Sequence, residues 1–131
     1  MTGPLLIQAD GETRVAGDTT PIPVPSGQDI SLLEVIWNAQ GPDGLTLRFR
    51  FLAPAISRQG GTVDYDTAAA DMLHLCQTYA LPRVPNTGPQ PQQIIVSLSD
   101  RPVPFGETSP DATQFFEAFT LEDGTCTWEM F

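Results

Sequence analysis

One segment of the 131-residue chain has the pattern of an α-helix, and this lone helix limits what the rest of the chain can build. The segment is "DTAAADMLHLCQTYA", residues 66–80, and Asp66 is a favourable N-cap residue for it. Pro82 prevents the helix from continuing far. A helix of about 14 residues is about 21 Å long, which is enough to cover one sheet. Its inward stripe is predicted to contain Ala69, Met72, Leu73, Cys76 and Ala80.

The other regular segments have the pattern of strands. Residues 30–38, 45–54 and 93–100 are apolar and β-branched or alternate between apolar and polar. Residues 113–131 contain the dipeptide Asp123-Gly124, a strong hairpin signal. The order of elements is therefore ββαβββ. We predict an α+β fold in which an antiparallel sheet of about five strands carries the helix on its apolar face.

Both hairpins have predicted registers. In the first, the five-residue loop "QGPDG" places Glu34 opposite Arg50 on the polar face, whereas a loop one residue shorter sets Glu34 against aromatic side chains. Its apolar pairs are Trp37 with Leu47, Val35 with Phe49 and Leu33 with Phe51. In the second hairpin, the predicted pairs are Leu121 with Cys126 and Phe119 with Trp128, on the same face as Met130.

The first 29 residues differ in composition from those that follow. "GDTTPIPVPSGQD", residues 17–29, alternates proline with β-branched residues, which favours an extended, polyproline-like run and excludes a helix. The thirteen prolines and eleven glycines of the chain also predict many turns. We therefore expect an extended or disordered N-terminal arm, residues 1–29, followed by one domain, residues 30–131.

Charge and hydropathy argue against two classes of partner. Sixteen acidic residues face six basic ones, all of them arginine, for a formal net charge of −10. Phosphate backbones are repelled by such a charge, so we do not expect nucleic-acid binding. No apolar run approaches the roughly 20 residues of a transmembrane helix. The opening "MTGPLLIQADGETR" lacks the pattern of a secretory signal, which leaves both an exported and a cytoplasmic location open.

The two cysteines are predicted to meet in the core. Cys76 lies on the inward stripe of the helix and Cys126 on the inward face of the last strand. A disulfide between them would close a loop of roughly 50 residues, worth about 4 kcal/mol. Cysteines in an oxidising compartment usually pair, whereas cytosolic ones usually remain reduced and act as small apolar residues. Both outcomes stay open on the residues alone, and we favour the bridge.

Few residues suggest catalytic chemistry. Asp71 and His74 share a helix face and could serve a metal-dependent enzyme, but a metal site needs three or four ligands. Asp64 and Asp66 are more simply a helix cap and a favourable charge near the start of the helix. The "SLSD" of residues 97–100 has no histidine placed to complete a catalytic triad. We therefore predict no catalytic residue, no metal and no cofactor.

Arg48 and Arg50 are the polar pair most suited to binding a ligand. They project side by side from the polar face of one strand, and an arginine pair can clamp a carboxylate. Arg101 or Arg83 could add to this positive spot. A small anion is therefore one candidate ligand, and cross-strand pairing of the arginines with Glu34 and other acids is the alternative. Two proline-rich loops, "NTGPQPQ" and "DRPVPFGETSP", are candidate surfaces for a protein partner or plain connections.

Four stretches of the chain resemble a known family. "EVIWN", "LRFRFLAPAI", "QQIIVSLSDRPVPFGE" and "FFEAFTLEDGTCTWEMF" are similar to small proteins of unknown function from marine and photosynthetic alphaproteobacteria, over nearly all of residues 23–131. The resemblance implies no site residues. Members of the family look like exported proteins, which favours a periplasmic location and the Cys76–Cys126 bridge.

The leading hypothesis is a non-catalytic extracytoplasmic module that binds a protein partner or assists an assembly. The missing catalytic constellation, the cysteine pair and the proline-rich loops all favour this class of protein. The first alternative is a module that binds a small anion through Arg48 and Arg50. A metal-dependent enzyme that uses Asp71 and His74 is the second alternative and has less support.

Overall fold

The described residues form one mixed sheet with a helical segment on one face. The computed structural model describes residues 6–9, 12–41, 44–84 and 90–129. Within these ranges, the seven strands lie in the sheet in chain order: β1 Leu6–Ala9, β2 Glu12–Ala16, β3 Ser31–Gly41, β4 Gly44–Leu52, β5 Gln93–Ser99, β6 Gln114–Glu122 and β7 Thr125–Trp128. The helical segment begins with α1, Tyr65–Leu75, and continues through a π-helical turn, Cys76–Ala80, into a 3₁₀ turn, Leu81–Arg83. A further 3₁₀ turn spans Pro54–Ile56.

The predicted α+β class and the order ββαβββ are confirmed for β3 to β7 and α1, but the sheet is not wholly antiparallel. β4 and β5 pair in parallel, from Thr46 opposite Gln93 to Leu52 opposite Ser99. The helical segment lies between these two strands in sequence and crosses the sheet. It returns the chain to the end at which β4 began, and such a crossover produces a parallel pair.

Two strands lie in the segment that we predicted to be an extended or disordered arm. β1 pairs with β2, and β2 pairs with β3, with Arg14 opposite Ile36 and Val15 opposite Val35. The boundary at Ile30 stays a prediction, but the strand pairing shows that the sheet begins before it. The strands "LIQA" and "ETRVA" are too short and too mixed in polarity to give a clear periodicity.

The predicted register of the first hairpin is confirmed over its centre and interrupted at both ends. Trp37 lies opposite Leu47, and Glu34 lies opposite Arg50. A bulge then shifts the register, so that Leu32 rather than Leu33 faces Phe51. A second irregularity lies at the tip, where Gly41 pairs with Gly44 and the predicted loop residues 42–43 lie outside the described residues.

The second hairpin has the predicted register. Leu121 faces Cys126, and Phe119 faces Trp128. Asp123 and Gly124 both have positive φ, 51° and 73°, as a two-residue turn between twisted strands requires. Met130, which we expected on the same face, lies outside the described residues.

The core lies between the sheet and the helical segment. The predicted apolar face of β4 is buried, together with the matching faces of β5 and β6: Leu47, Phe49, Phe51, Ile94, Val96, Leu98 and Phe119. From the helical segment, Ala68, Met72, Leu75, Cys76 and Ala80 pack onto this face. Ala69 and Leu73, which we predicted to point inwards, are only partly buried, because Ala68 and Leu75 occupy the innermost face of α1. Val24 and Ile30 are buried in the same core.

A disulfide joins the end of the helical segment to the edge of the sheet. Cys76 and Cys126 are bonded, with their Cα atoms 6.2 Å apart, so the bridge that we favoured is confirmed. In the hairpin, Glu122 and Thr125 flank the turn as a hydrogen-bonded pair, so the amide of Cys126 points away from β6. The side-chain oxygen of Gln77, on the π-helical turn, accepts that amide. The edge strand is thus held by one covalent bond and one hydrogen bond.

We expect the double variant Cys76→Ala/Cys126→Ala to lose about 4 kcal/mol of unfolding free energy, because the bridge closes a loop across 50 residues. Urea unfolding of the variant and of the reduced parent measures the loss, and the two should agree. A loss below about 1 kcal/mol in both proteins would show that α1 and β7 stay together without the bridge.

Candidate functional site

The face of the sheet that points away from α1, the back face, is partly covered by the loop between β5 and β6. This covering loop, residues 100–113, is closed at its base. The amide of Asp100 donates to the Thr113 carbonyl at 3.0 Å, and the amide of Thr113 donates back to the Asp100 side chain at 3.0 Å. The Ser99 hydroxyl donates to the Arg101 carbonyl at 2.6 Å. The loop therefore leaves and re-enters the sheet at one well-defined point.

Two arginines hold the covering loop against the sheet. Arg50 is only 6% exposed; its Nη1 forms an ion pair with Glu34, and its Nη2 donates to the Val103 carbonyl at 2.5 Å. Arg58 donates to the Pro110 carbonyl at 2.8 Å and, through its backbone amide, to the Thr113 hydroxyl at 2.9 Å. The arginine side chains thus supply hydrogen bonds to carbonyl groups that have no strand or helix partner in the loop.

The covering loop inserts one aromatic ring among three arginines. The ring is that of Phe105. The guanidinium carbons of Arg14, Arg48 and Arg50 lie 5.5, 4.9 and 5.6 Å from its centroid, within the range of cation–π attraction. We call these three residues the arginine cluster. It gathers half of the six arginines of an acidic chain at one place on the back face.

A small cleft opens beside this ring. We call it the aromatic cleft: it has a volume of about 160 Å³ and lies between Phe105 of the covering loop and Phe116 of β6. Arg48 and Ser97 line it from the sheet, and Glu107 lines it from the loop. Phe116 is 63% exposed, although it lies within β6 and not in a loop. The cleft can therefore accept an apolar side chain next to a guanidinium.

The structure separates the predicted arginine site into different roles. Arg48 and Arg50 do lie side by side on the back face, but Arg50 is engaged by Glu34 and Val103, as the alternative reading expected. Arg101 contacts neighbouring Asp100, with a shortest separation of 3.2 Å, and does not line the aromatic cleft. The third member of the arginine cluster is Arg14. It was not a candidate because no strand was expected in its segment.

The predicted pair Asp71 and His74 is also separated. Asp71 is fully buried, and both of its carboxylate oxygens accept hydrogen bonds: from the Ser26 amide at 3.0 Å, the Ser26 hydroxyl at 2.5 Å and the Gln28 amide group at 2.7 Å. Asp71 thus fastens residues 26–28 to α1. The described ranges contain no group of three or more histidine, cysteine, aspartate or glutamate side chains placed to hold a metal ion.

The start of α1 shows how the two nearby aspartates divide their roles. Asp64, not Asp66, is the N-cap residue, and its side chain accepts from the Thr67 amide at 2.9 Å. The hydrogen bonds from Thr67 lower the pKa of Asp64. Asp66 lies in the first turn, where a negative charge is favourable. The interpretation of this pair as a cap and a helix-end charge holds, with the cap assigned to Asp64.

A second concave region lies on the other side of the molecule, between residues 18–23 and the end of the helical segment. This arm–helix groove has a volume of about 450 Å³. His74 and Arg83 line it, together with the ring of Tyr79. No motif pointed to this groove, because it forms only when an irregular segment lies beside the helix.

Two carboxylates have pKa values shifted in opposite directions. Burial alone raises the pKa of Asp100, but hydrogen bonds from Arg101 and the Thr113 amide, with the charge of Arg101, outweigh it and lower the pKa. Glu117 lies on the helix-covered face of β6, opposite Val96, and burial raises its pKa. The first shift strengthens the base of the covering loop at neutral pH, and the second weakens the core.

These features define a disulfide-bonded α+β domain with a mixed sheet and a covering loop. The chain belongs to the family of unknown function DUF6497, whose model matches residues 6–131. No curated protein and no solved structure matches the chain significantly. The expected membership in a family of unknown function is confirmed, while an alphaproteobacterial origin and export stay predictions. Among the described residues, no helix has the length and apolar character needed to cross a membrane.

One of the two predicted partner-binding loops can be located. "DRPVPFGETSP" is the greater part of the covering loop, and its exposed prolines, Pro102 and Pro104, flank the buried Val103. "NTGPQPQ" is residues 86–92, and its first four residues lie outside the described residues.

We expect Asp100→Asn to lower the unfolding free energy by about 1–2 kcal/mol at neutral pH, because the carboxylate accepts charge-assisted hydrogen bonds. Its folded pKa lies below the unfolded value of about 3.9, so this contribution is present above that value and is lost as pH falls through the folded pKa. Urea unfolding at a series of pH values should show that the difference in unfolding free energy between the parent and Asp100→Asn becomes smaller at acidic pH.

Glu117→Gln serves as the matched control, because we expect it to change the unfolding free energy at neutral pH in the opposite direction. A raised folded pKa means that stability falls as pH rises through it, so the glutamine variant should be more stable than the parent at neutral pH. The two proteins should converge below about pH 4, where Glu117 is protonated in both states. Parallel pH profiles for the two variants would contradict the assigned environments.

Proposed function

We propose that the protein is a non-catalytic extracytoplasmic module that binds a protein partner through the aromatic cleft. The observation that carries this proposal is Phe116. It occupies the back face of β6, in register with Ser97 and Arg50, where a strand normally presents polar side chains to water. Large aromatic side chains that remain exposed beside a cleft are the residues that most often anchor a protein interface.

The surroundings of Phe116 support a binding surface that is formed in advance. The covering loop is held by Arg50 and Arg58 through its carbonyl groups and is closed at its base by Asp100. A surface fixed by such contacts loses little conformational entropy when a partner binds, and this favours affinity. Exposed Pro104 next to the ring of Phe105 adds further stiff apolar area.

The disulfide supports the proposed location. A buried bridge between Cys76 and Cys126 persists in an oxidising compartment and is rare in the cytosol. A domain of this size with many prolines gains a large share of its stability from one such bridge. Export is therefore the setting in which the fold is most stable.

Side chains that suggested other functions take part in internal contacts. Asp71, the candidate metal ligand, accepts three hydrogen bonds from Ser26 and Gln28. Arg50, half of the candidate anion clamp, is bonded to Glu34 and Val103. Asp71 lies outside the aromatic cleft, and Arg50 lines the cleft while it keeps its contacts with Glu34 and Val103. Protein binding through the cleft needs neither contact to break, so it is the function that this arrangement supports best.

The location is tested in cells that naturally produce the protein. We expect it in the extracytoplasmic fraction, and we expect thiol alkylation before lysis to add nothing to its intact mass, because both cysteines are bonded. A cytosolic protein with reduced cysteines serves as the control for alkylation. Recovery from the cytoplasm with two alkylated thiols would contradict the proposal.

The partner surface is tested by placing the photo-crosslinking residue p-benzoylphenylalanine at position 116 in the same cells. We expect one discrete, light-dependent adduct. Excess parent protein without the crosslinker should compete for the partner and abolish the adduct, whereas excess Phe116→Ser should not. The serine change should alter stability by only about 0.5 kcal/mol, since the side chain is largely exposed.

Position 65 provides the matched control. Tyr65 is 43% exposed and packs against Phe115, on the opposite face of β6 from Phe116. The photo-crosslinker at position 65 should not form the adduct. The same adduct from both positions, or none from position 116, would contradict binding through the aromatic cleft.

A further inference from the structure

The arm–helix groove has one apolar wall and one wall with basic side chains. Residues 21–23 supply proline rings and the partly buried side chain of Ile22, and the helical segment supplies His74 and Arg83. Its volume of about 450 Å³ lies within the range of small-molecule sites, which combine mainly apolar walls with a few convergent polar groups.

The walls of this groove are held by contacts that do not involve its open side. The Ile22 amide donates to the Ile30 carbonyl at 2.9 Å, which fixes the arm segment against the core. Asp71 fastens the next turn of the arm, at Ser26, to α1. The groove is therefore a permanent feature of the fold and does not need a ligand to form it.

Arg83 is positioned on a rigid platform. Its guanidinium carbon lies 3.5 Å from the centroid of the Tyr79 ring, and its Nη1 donates to the Tyr79 carbonyl at 3.0 Å. The Tyr79 ring itself makes edge-on contacts with Phe49 and Phe51 of the core, with centroids 6.2 and 5.6 Å apart. The ring and the carbonyl together hold the guanidinium in place, and a guanidinium held in place suits the planar shape of a carboxylate.

The basic side chains of the groove have no acidic partner among the described residues. Arg83 forms no ion pair there, and the imidazole of His74 forms neither an ion pair nor a hydrogen bond. Asp18 also lines the groove, but its carboxylate accepts the Thr20 amide at 2.9 Å. Arg83 therefore keeps donors besides the one that bonds the Tyr79 carbonyl, and within the part of the chain that the structure describes neither Arg83 nor the His74 imidazole is engaged by a carboxylate.

We propose that the arm–helix groove binds a small organic molecule that carries a carboxylate on an apolar body. Arg83, held over the Tyr79 ring, binds the carboxylate, and His74 donates a second hydrogen bond to it. Ile22 and the flanking prolines cover the apolar body. The site lies on the helix side of the sheet and is independent of the aromatic cleft, so it does not rest on the proposed protein partner.

The charge of Asp18 allows a test of whether the ligand is an anion or a cation. A carboxylate ligand is repelled by the negative charge of Asp18 at the rim of the groove, whereas an ammonium ligand is attracted by it. Asp18→Asn keeps an oxygen that can accept the Thr20 amide and removes the charge. A carboxylate ligand should therefore bind about twofold more tightly to this variant, since exposed charges interact weakly.

The experiment is an amide ¹H–¹⁵N NMR titration of the full chain with phenylacetate. We expect saturable shifts at the amides of Thr20, Ile22 and residues 74–79, with a dissociation constant in about the millimolar range for so small a ligand. The neutral amide phenylacetamide and the cation 2-phenylethylamine should bind at least about tenfold more weakly, because they lack the group that Arg83 recognises.

Variants assign the binding to named side chains. Arg83→Gln should weaken phenylacetate binding about tenfold and His74→Gln several-fold. Arg101→Gln removes an exposed arginine outside the groove and should leave binding unchanged. Each variant should keep the dispersed spectrum of the parent, since both changed side chains of the groove are at least partly exposed.

The proposal is overturned by the absence of a saturable shift with phenylacetate, by equal affinity for phenylacetamide, or by unchanged affinity in Arg83→Gln. Shifts confined to residues 97 and 105–116 would also overturn it, because they would assign the anion to the aromatic cleft. Weaker binding to Asp18→Asn would contradict the predicted sign and exclude a carboxylate as the recognised group.

Discussion

The apolar face of the sheet is wider than the one helix that covers it, and the other contacts of the fold follow from this mismatch. A helix with its side chains is about 10 Å wide, whereas adjacent strands lie about 4.8 Å apart, so α1 covers two or three strands. α1 contacts β5 and β6, and the π-helical turn reaches β5 and β7. Val24 of the arm and Ile30, which follows the arm, supply further apolar cover, and the Cys76–Cys126 bridge secures β7. Both the apolar cover and the disulfide are needed because α1 leaves the parts of the sheet on either side of it uncovered.

The back face is closed by a different kind of chemistry. On the helix side of the sheet, apolar side chains pack against one another. The other face of β4 presents Arg48 and Arg50, and the ring of Phe105 covers them. The Phe105 ring lies within cation–π distance of three guanidinium groups, and a carbonyl of the covering loop accepts from Arg50. Arginine suits this role because its guanidinium is weakly hydrated and stacks on aromatic rings. Where this cover ends, the aromatic side chain of Phe116 remains exposed on the back face.

The sequence allowed prediction of features that depend on local periodicity. Alternation in "LTLRFRFLAP" located the buried face of β4, and the inward positions of Cys76 and Cys126 led to the bridge. The parallel pairing of β4 with β5 could not be read in this way, because a strand has the same alternation in either direction. Arg14 and Phe105 could not be placed together either, since they lie in segments without periodicity. Their contact is set by the path of a loop and by the pairing of a short strand.

Asp71 shows why a chemically suggestive pair can resolve into a structural contact. On the helix alone, Asp71 and His74 lie one turn apart and share a face, as two metal ligands would. A buried carboxylate must be satisfied, however, and the arm brings it the Ser26 and Gln28 donors before any external ligand can. His74 is left in the groove that the arm creates. The arm therefore has two effects on this helix face. It occupies the carboxylate of Asp71 with internal hydrogen bonds, and it forms the wall of the groove opposite His74.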